Sequence, residues 1–163
     1  MFKRSFAAAV CLLSFAVPTW PAGGGGGGGG GGAFGVEIDR DYQLGEAAIK
    51  RQDWQQAISR LRLVIRRDPR NADAWNYLGY AYRHVGKMDD SFKHYERALQ
   101  LDPRHKGAHE YVGEAYLLVG KPAQAEEHLK ALERICTSAC EEYAELKEKL
   151  AAYKRGQPNT AAR

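Results

Sequence analysis

The fold is decided by residues 72–105, ADAWNYLGYAYRHVGKMDDSFKHYERALQLDPRH, because the same pattern recurs on both sides of them. Gly45, Gly79 and Gly113 stand 34 residues apart, each after an aliphatic residue (Leu44, Leu78, Val112) and each three residues before Ala48, Tyr82 or Tyr116. A second series follows in each unit: Ala57, Ser91 and Ala125, then Leu61, Tyr95 and Leu129, then Val64, Ala98 and Leu132. Apolar residues three and four apart predict a pair of amphipathic helices per unit. Asp68-Pro69 and Asp102-Pro103 close the first two units, since proline lacks an amide donor and clashes with the preceding turn. One such pair cannot bury its apolar face alone, so successive pairs must stack into one continuous core.

Trp75, Leu78, Gly79, Tyr82, Ser91, Tyr95, Ala98 and Pro103 fill the pattern Trp-x2-Leu-Gly-x2-Tyr, Ala-x3-Phe, Pro, and in this the chain resembles the tetratricopeptide repeat family. The first unit departs from it with Asp41 in place of tryptophan, the third with His109 there and Thr137 in place of the proline. The expected fold is all-α: a helical-hairpin solenoid of three repeats, residues 38–71, 72–105 and 106–137, with a capping helix over 138–155. Pro122 suits the first turn of the last repeat's second helix, where amides are unpaired anyway. Ser138 and Glu141 form a capping box for the last helix, and Tyr143, Leu146, Leu150 and Tyr153 give it an apolar stripe among Glu and Lys. Residues 156–163 read as a short disordered tail.

The resemblance implies a concave groove, built by the first helices, that receives an extended or helical peptide. Carried over position by position, it is formed by Tyr42, Gln43, Glu46 and Lys50; Asn76, Tyr77, Tyr80, Arg83 and His84; and Glu110, Tyr111, Glu114 and Leu118. Tyrosines offer large contact area with a polar tip at low entropic cost, and Asn76 and Arg83 suit a peptide carbonyl or carboxylate. Tyr77 and Tyr111 are equally suited to packing between repeats. Family members that clamp acidic chaperone tails use basic residues where this chain has Gly107 and Tyr111, and Glu46, Glu110 and Glu114 would repel such a tail. A neutral or basic, partly apolar protein segment fits better.

The 163 residues carry a formal net charge of +4, part of which is Lys3 and Arg4. Without those two the chain is close to neutral and has no clustered basic stripe, which excludes nucleic acid as the expected partner. Met1 to Ala22 reads as a secretory signal: a basic start, an apolar run from Ser5 to Val17, then Pro18 to Ala22. Small residues at Ser14 and Ala16 or a cut after Ala22 are alternative ends, and Cys11 lies too early in the run for lipidation. A periplasmic or secreted location is expected; the alternative is an inner-membrane anchor through a retained segment 5–17. Residues 23–37 read as a flexible linker headed by the ten glycines 23–32, which as a coil span about 17 Å and lack the Lys-Ser/Thr of a phosphate loop.

Cys136 and Cys140 flank the turn before the capping helix. In an exported chain a disulfide between them would clamp the cap to the solenoid, adding at most about 2 kcal/mol on the chain-entropy model. The sharper alternative is a thiol-redox or cytochrome-maturation accessory using the same pair, although there is no Cys-x-x-Cys. His105 and His109 share a helical face but give too few ligands for a metal, and His128 is too far along from Cys136 for a shared ion. No Gly-x-Ser-x-Gly or His-Glu-x-x-His is present, and helical repeats present a surface rather than a closed pocket. The expected function is non-catalytic protein binding, without cofactor or small-molecule substrate.

Overall fold

The computed structural model describes residues 32–137 and 140–156, with side chains from residue 40 onward. The signal segment 1–22, the linker glycines up to 31, Ser138 and the tail 157–163 lie outside the described residues. Seven helices follow one another: α1 Gly32–Lys50, α2 Trp54–Arg67, α3 Ala72–His84, α4 Met88–Leu101, α5 Lys106–Leu118, α6 Pro122–Ile135 and α7 Glu141–Lys154. Helix packs on helix within each pair, and the pairs stack through α2 on α3, α4 on α5 and α6 on α7. The first helices α1, α3 and α5 also meet in a row, which α7 extends. The fold is an all-α repeat solenoid.

The 34-residue period reaches down to single hydrogen bonds. Gly86 and Gly120 take positive φ (76° and 74°) after α3 and α5, and Gln52 does the same after α1 (60°). Each turn closes alike: Asp53 N–H to Ala48 O, Lys87 N–H to Tyr82 O and Lys121 N–H to Tyr116 O, at 2.8–2.9 Å. These are the bonds that satisfy helix-end carbonyls through a left-handed residue, a conformation natural to glycine and strained for Gln52. Between units, Asp68 and Asp102 each accept from the amide two residues on (Arg70, Arg104), and Asn71 and His105 cap the next helices through Ala74 and Ala108.

The core is the second-helix series facing the small residues of the first. Gly79 admits Tyr95 so closely that a Cβ there would lie 2.5 Å from its ring, and Gly45 admits Leu61 in the same way. Ser91 is buried because its hydroxyl donates to the Gly79 carbonyl at 2.7 Å. Of the nine second-helix positions in the series, Leu129 alone is not fully buried. Its place beside Gly113 is taken by Leu146 of α7.

The tryptophan position shows how the departures are accommodated. Trp75 donates through Nε1 to Pro69 O at 3.0 Å and packs on His94. His109, 34 residues later, places Nε2 3.1 Å from Pro103 O and packs on His128, the counterpart of His94. Asp41 pairs instead with Arg60, the counterpart in the first unit, and with Arg67. One site thus holds an ion pair, an aromatic stack and an imidazole pair in turn.

Two boundaries differ from expectation. The linker expected over 23–37 gives way to helix at Gly32, because extending an existing helix backwards through Ala33 to Glu37 avoids the cost of nucleation. Helix α7 starts at Glu141 with Cys140 as its N-cap, whose side chain makes no capping bond; the expected Ser138–Glu141 capping box rests on Ser138, which lies outside the described residues. The two cysteines are joined, with Cα atoms 5.9 Å apart, across the turn from α6 to α7.

Candidate functional site: the concave groove

Three helices build the site. On α3, Asn76, Tyr80 and Arg83 follow at spacings of four and three and so share one face. On α5, Gly107, Glu110, Tyr111 and Glu114 do the same, and α7 adds Glu141, Glu142, Glu145 and Lys149. Together with Asp73, Tyr77, His84 and His105 these residues line a cavity of about 600 Å³ on the inner row.

The floor is aromatic. Tyr80 packs against Tyr111 (centroids 4.8 Å apart) and His84 (4.5 Å), and His84 stacks flat on Trp54 at 4.1 Å. Burial, and then the Arg83 charge, depress the His84 imidazole to about 4, so at neutral pH it is an uncharged aromatic surface. Arg83 lies 4.8 Å from the Tyr80 ring centre. Its Nη1 donates to Glu114 at 2.7 Å and to Tyr111 O at 3.1 Å, and both charged side chains are all but fully buried. Of Arg83 and Asn76, expected to meet a peptide carbonyl or carboxylate, Arg83 has its Nη1 engaged internally, because burial obliges a guanidinium to pair, while its Nε has no hydrogen-bond partner.

The far wall is carboxylic. Oxygens of Glu110, Glu114 and Glu145 lie within 4.8 Å of one another, close enough to share a metal ion, but the Lys149 ammonium already sits among them. Lys149 donates to Glu114 and, at 3.2 Å, to Glu145, and stands 4.0 Å from Glu110. Burial opposes its charge, but Glu114 and Glu145 outweigh this and hold it above the ordinary lysine value. Glu110 gets the least of that cation. Its burial, then the Glu114 charge, then a hydrogen bond shared with Glu145 push its carboxyl up to about 8.

Of the residues expected in the groove, Asn76, Tyr77, Tyr80, Arg83, His84, Glu110, Tyr111 and Glu114 line this cavity. Tyr77 and Tyr111 do both jobs, since each also packs against a core cluster. Tyr42, Gln43, Glu46, Lys50 and Leu118 do not line it. Tyr42 packs on the first core cluster with its ring 6.0 Å from that of Tyr77, Glu46 accepts from the Tyr77 hydroxyl at 3.2 Å, Gln43 and Lys50 are exposed along α1, and Leu118 is half-buried. The α7 wall is what the sequence reading missed, and the repeat register gives no signal for it because α7 lies beyond the third unit. Away from the groove, His109 and His128 face each other with Nδ1 atoms 2.9 Å apart. With His109 Nε2 donating to Pro103 O, the shared proton belongs to His128 Nδ1.

Residues 42–105 and 85–139 match the tetratricopeptide repeat family model. Among solved structures, the chain is similar to the TPR2B domain of yeast Sti1 in complex with pHsp70 (16% identity, TM-score 0.65, 75% of this chain and 99% of that one). It is also similar to the Yersinia enterocolitica type III secretion chaperone SycD in complex with a peptide of the translocator YopD (16%, TM-score 0.64, 74% and 92%), and to MamA (28%, TM-score 0.54, 71% and 61%). A search among curated proteins returned no sequence match. With the family pattern matched over more than half its length and its repeat geometry preserved bond for bond, the chain belongs to the tetratricopeptide repeat family.

Proposed function

We propose that the protein is an exported, non-catalytic scaffold that holds a segment of another protein in its concave groove. The carrying observation is the cavity between α3, α5 and α7, a trough with tyrosines along its floor and charges at its wall. Such a surface can grip a chain without transforming it. That the Sti1 domain and SycD are each described in complex with a peptide or protein supports the reading. Export rests on Met1 to Ala22, and a retained segment 5–17 would make the scaffold membrane-tethered; among the described residues no helix is long and apolar enough to cross a membrane. The partner segment is neutral or basic with apolar residues, because the groove's free carboxylates disfavour an acidic one.

The test is capture from envelope extracts by the full-length chain beside a Tyr80→Ala, Glu142→Lys variant. Both changes lie in the cavity lining and spare the buried Arg83–Glu114 pair. A protein retained by the first and lost with the second is the expected result; equal retention by both would remove the groove from the function. The Cys136–Cys140 bridge acts here as a brace between α6 and the α7 wall rather than as a redox centre. A Cys136→Ser, Cys140→Ser variant should then keep its partner with modestly lower stability, whereas complete loss of activity with capture intact would favour thiol chemistry.

A further inference from the structure

The groove has an imbalance that its internal pairs do not remove. Six carboxylates line the cavity against two permanent cations, Arg83 and Lys149. Arg83 is committed to Glu114 and the Tyr111 carbonyl, and Lys149 to Glu114 and Glu145. Glu110, only 6% exposed, is left with Lys149 at 4.0 Å and a carboxyl neighbour.

An independent observation lies beside it. Asn76, 4% exposed, lines the same cavity from α3, and its Oδ1 has no hydrogen-bond partner. An acceptor buried without a donor forfeits its hydration with nothing in return and calls for an occupant. Opposite Asn76 stands Gly107, where a Cβ would come within 3.4 Å of the Asn76 amide nitrogen; without one there is room, and Glu110 follows one helical turn later. Arg83 Nε is also buried without a partner in this lining, but at this corner the Asn76 oxygen and Glu110 are acceptors, which specify a ligand made of donors.

We propose that this corner of the groove is a pocket for one cationic side chain, a lysine or arginine of the bound segment, received by Glu110, Glu145 and the Asn76 amide oxygen. The proposal rests on the groove reading and names the feature by which the partner is selected. A divalent metal fits less well, because it would have to displace the Lys149 ammonium from among the three carboxylates. A guanidinium or ammonium adds to the existing array instead, one more donor group beside Lys149.

Binding there is coupled to a proton. The groups facing Glu110 are Tyr111 and Glu114 on α5, and Glu145 and Lys149 on α7, with Arg83 of α3 in the same cavity lining. With its carboxyl raised to about 8, Glu110 holds a proton at neutral pH in the empty groove, and an arriving cation drives that proton into solvent. Affinity therefore rises with pH from 6 to about 8 and then levels.

The probe is a phage-displayed library of random 12-residue peptides selected on the full-length chain, with each winner tested on the Tyr80→Ala, Glu142→Lys variant. Groove-dependent peptides are expected to share one required arginine or lysine. Replacing that arginine with citrulline, or that lysine with norleucine, should weaken binding to the native chain about tenfold, but less than about twofold to Glu110→Gln. Glu145→Gln, on the half-exposed side of the pair, repeats the test without disturbing a buried group. Calorimetry in buffers of different ionisation enthalpy should show proton release at pH 7 that disappears in Glu110→Gln. Groove-dependent peptides with no required cation would overturn the pocket and leave the groove standing. Peptides indifferent to the Tyr80→Ala, Glu142→Lys variant would overturn the groove itself and the pocket with it. Displacement of the peptides by millimolar calcium or magnesium, lost in Glu110→Gln, would replace the organic cation with a metal.

Discussion

The second repeat and the third repeat with its cap begin from the same sequence frame and are held together by different forces. In the second, Gly79 receives the Tyr95 ring and Trp75 lies against His94, so its cohesion is shape and aromatic surface. In the third, the equivalent glycine receives Leu146 from outside the repeat, His109 and His128 replace the tryptophan stack, and the inner face is a cluster of carboxylates around Lys149. The difference follows from position: an interior repeat meets copies of itself on both sides, while the last one meets a helix that obeys no repeat register. The terminal seam is therefore where charge and pH dependence concentrate.

The largest effect is expected from breaking that seam at its charge. Glu114→Ala leaves the Arg83 guanidinium, 3% exposed, without its carboxylate, and should cost about 3–5 kcal/mol in urea unfolding. The first unit's ion pair makes the contrast. Asp41→Ala leaves Arg60 and Arg67, 40% and 32% exposed, within reach of water and should cost about 1 kcal/mol or less. Equal losses would mean that the two pairs are not distinguished by burial.

Breaking the seams at their glycines separates packing from docking. In Gly79→Ala the new methyl meets Cδ1, Cε1 and Cγ of a fully buried ring that cannot turn aside, and a cost of about 1–3 kcal/mol falls on the whole solenoid. In Gly113→Ala the nearest atoms are the two methyls of Leu146, which can rotate while α7 shifts, so the expected signature is faster hydrogen exchange confined to α7. Global unfolding of similar size in both would show α7 to be as integral as the repeats.

Much of this contrast was legible in the sequence. The glycine and proline spacings place α2 to α6, and Leu146 and Leu150 are buried as the apolar stripe required. The opposite face of α7, glutamates and lysines on a terminal helix, has nothing in its pattern to set it apart from a solvated one. Its role as the groove wall depends on Lys149 reaching Glu114, a contact 35 residues long that no local pattern encodes. Tyr42, Gln43, Glu46, Lys50 and Leu118 failed to reach the cavity for a related reason: family positions give the facing side of each first helix, but the cavity is enclosed only where α7 closes it.

Titration should sharpen the comparison further. His84 and His128 have folded values near 4, each lowered first by burial, against 6.5 for the free side chain. The unfolded chain therefore binds more protons between pH 4 and 6.5, and stability climbs with pH across that window. Glu110 works the other way: raised to about 8 from 4.5, it holds an extra proton in the folded state, and stability falls as pH rises through that range. These two histidines, with His94 and His109 also lowered chiefly by burial, outweigh one glutamate below 6.5, and Glu110 acts above it, so urea midpoints should peak near pH 6.5. Each group contributes at most about 1.4 kcal/mol per pH unit. Glu110→Gln should abolish the decline from 6.5 to 8 and, with nothing left to offset the histidines, steepen the rise between about 4.5 and 6.5; a persisting decline would assign it to another group.

The smallest effect tests whether the repeat frame itself is under tension anywhere. Gln52 occupies the position of Gly86 and Gly120 and makes the same closing bonds, yet carries a side chain at a φ of 60°. A left-handed backbone costs a residue with a Cβ about 1 kcal/mol or more, and a glycine there gives back part of this through the greater freedom of the unfolded chain. Because Gln52 is exposed, its replacement removes no packing. Gln52→Gly should raise stability by about 0.5–1 kcal/mol, while Gly86→Gln, the reverse change one repeat later where the frame is already relaxed, should lower it by a similar amount. If both substitutions lower stability, the first turn draws on contacts of the glutamine side chain, and the equivalence of the three turns ends at the backbone.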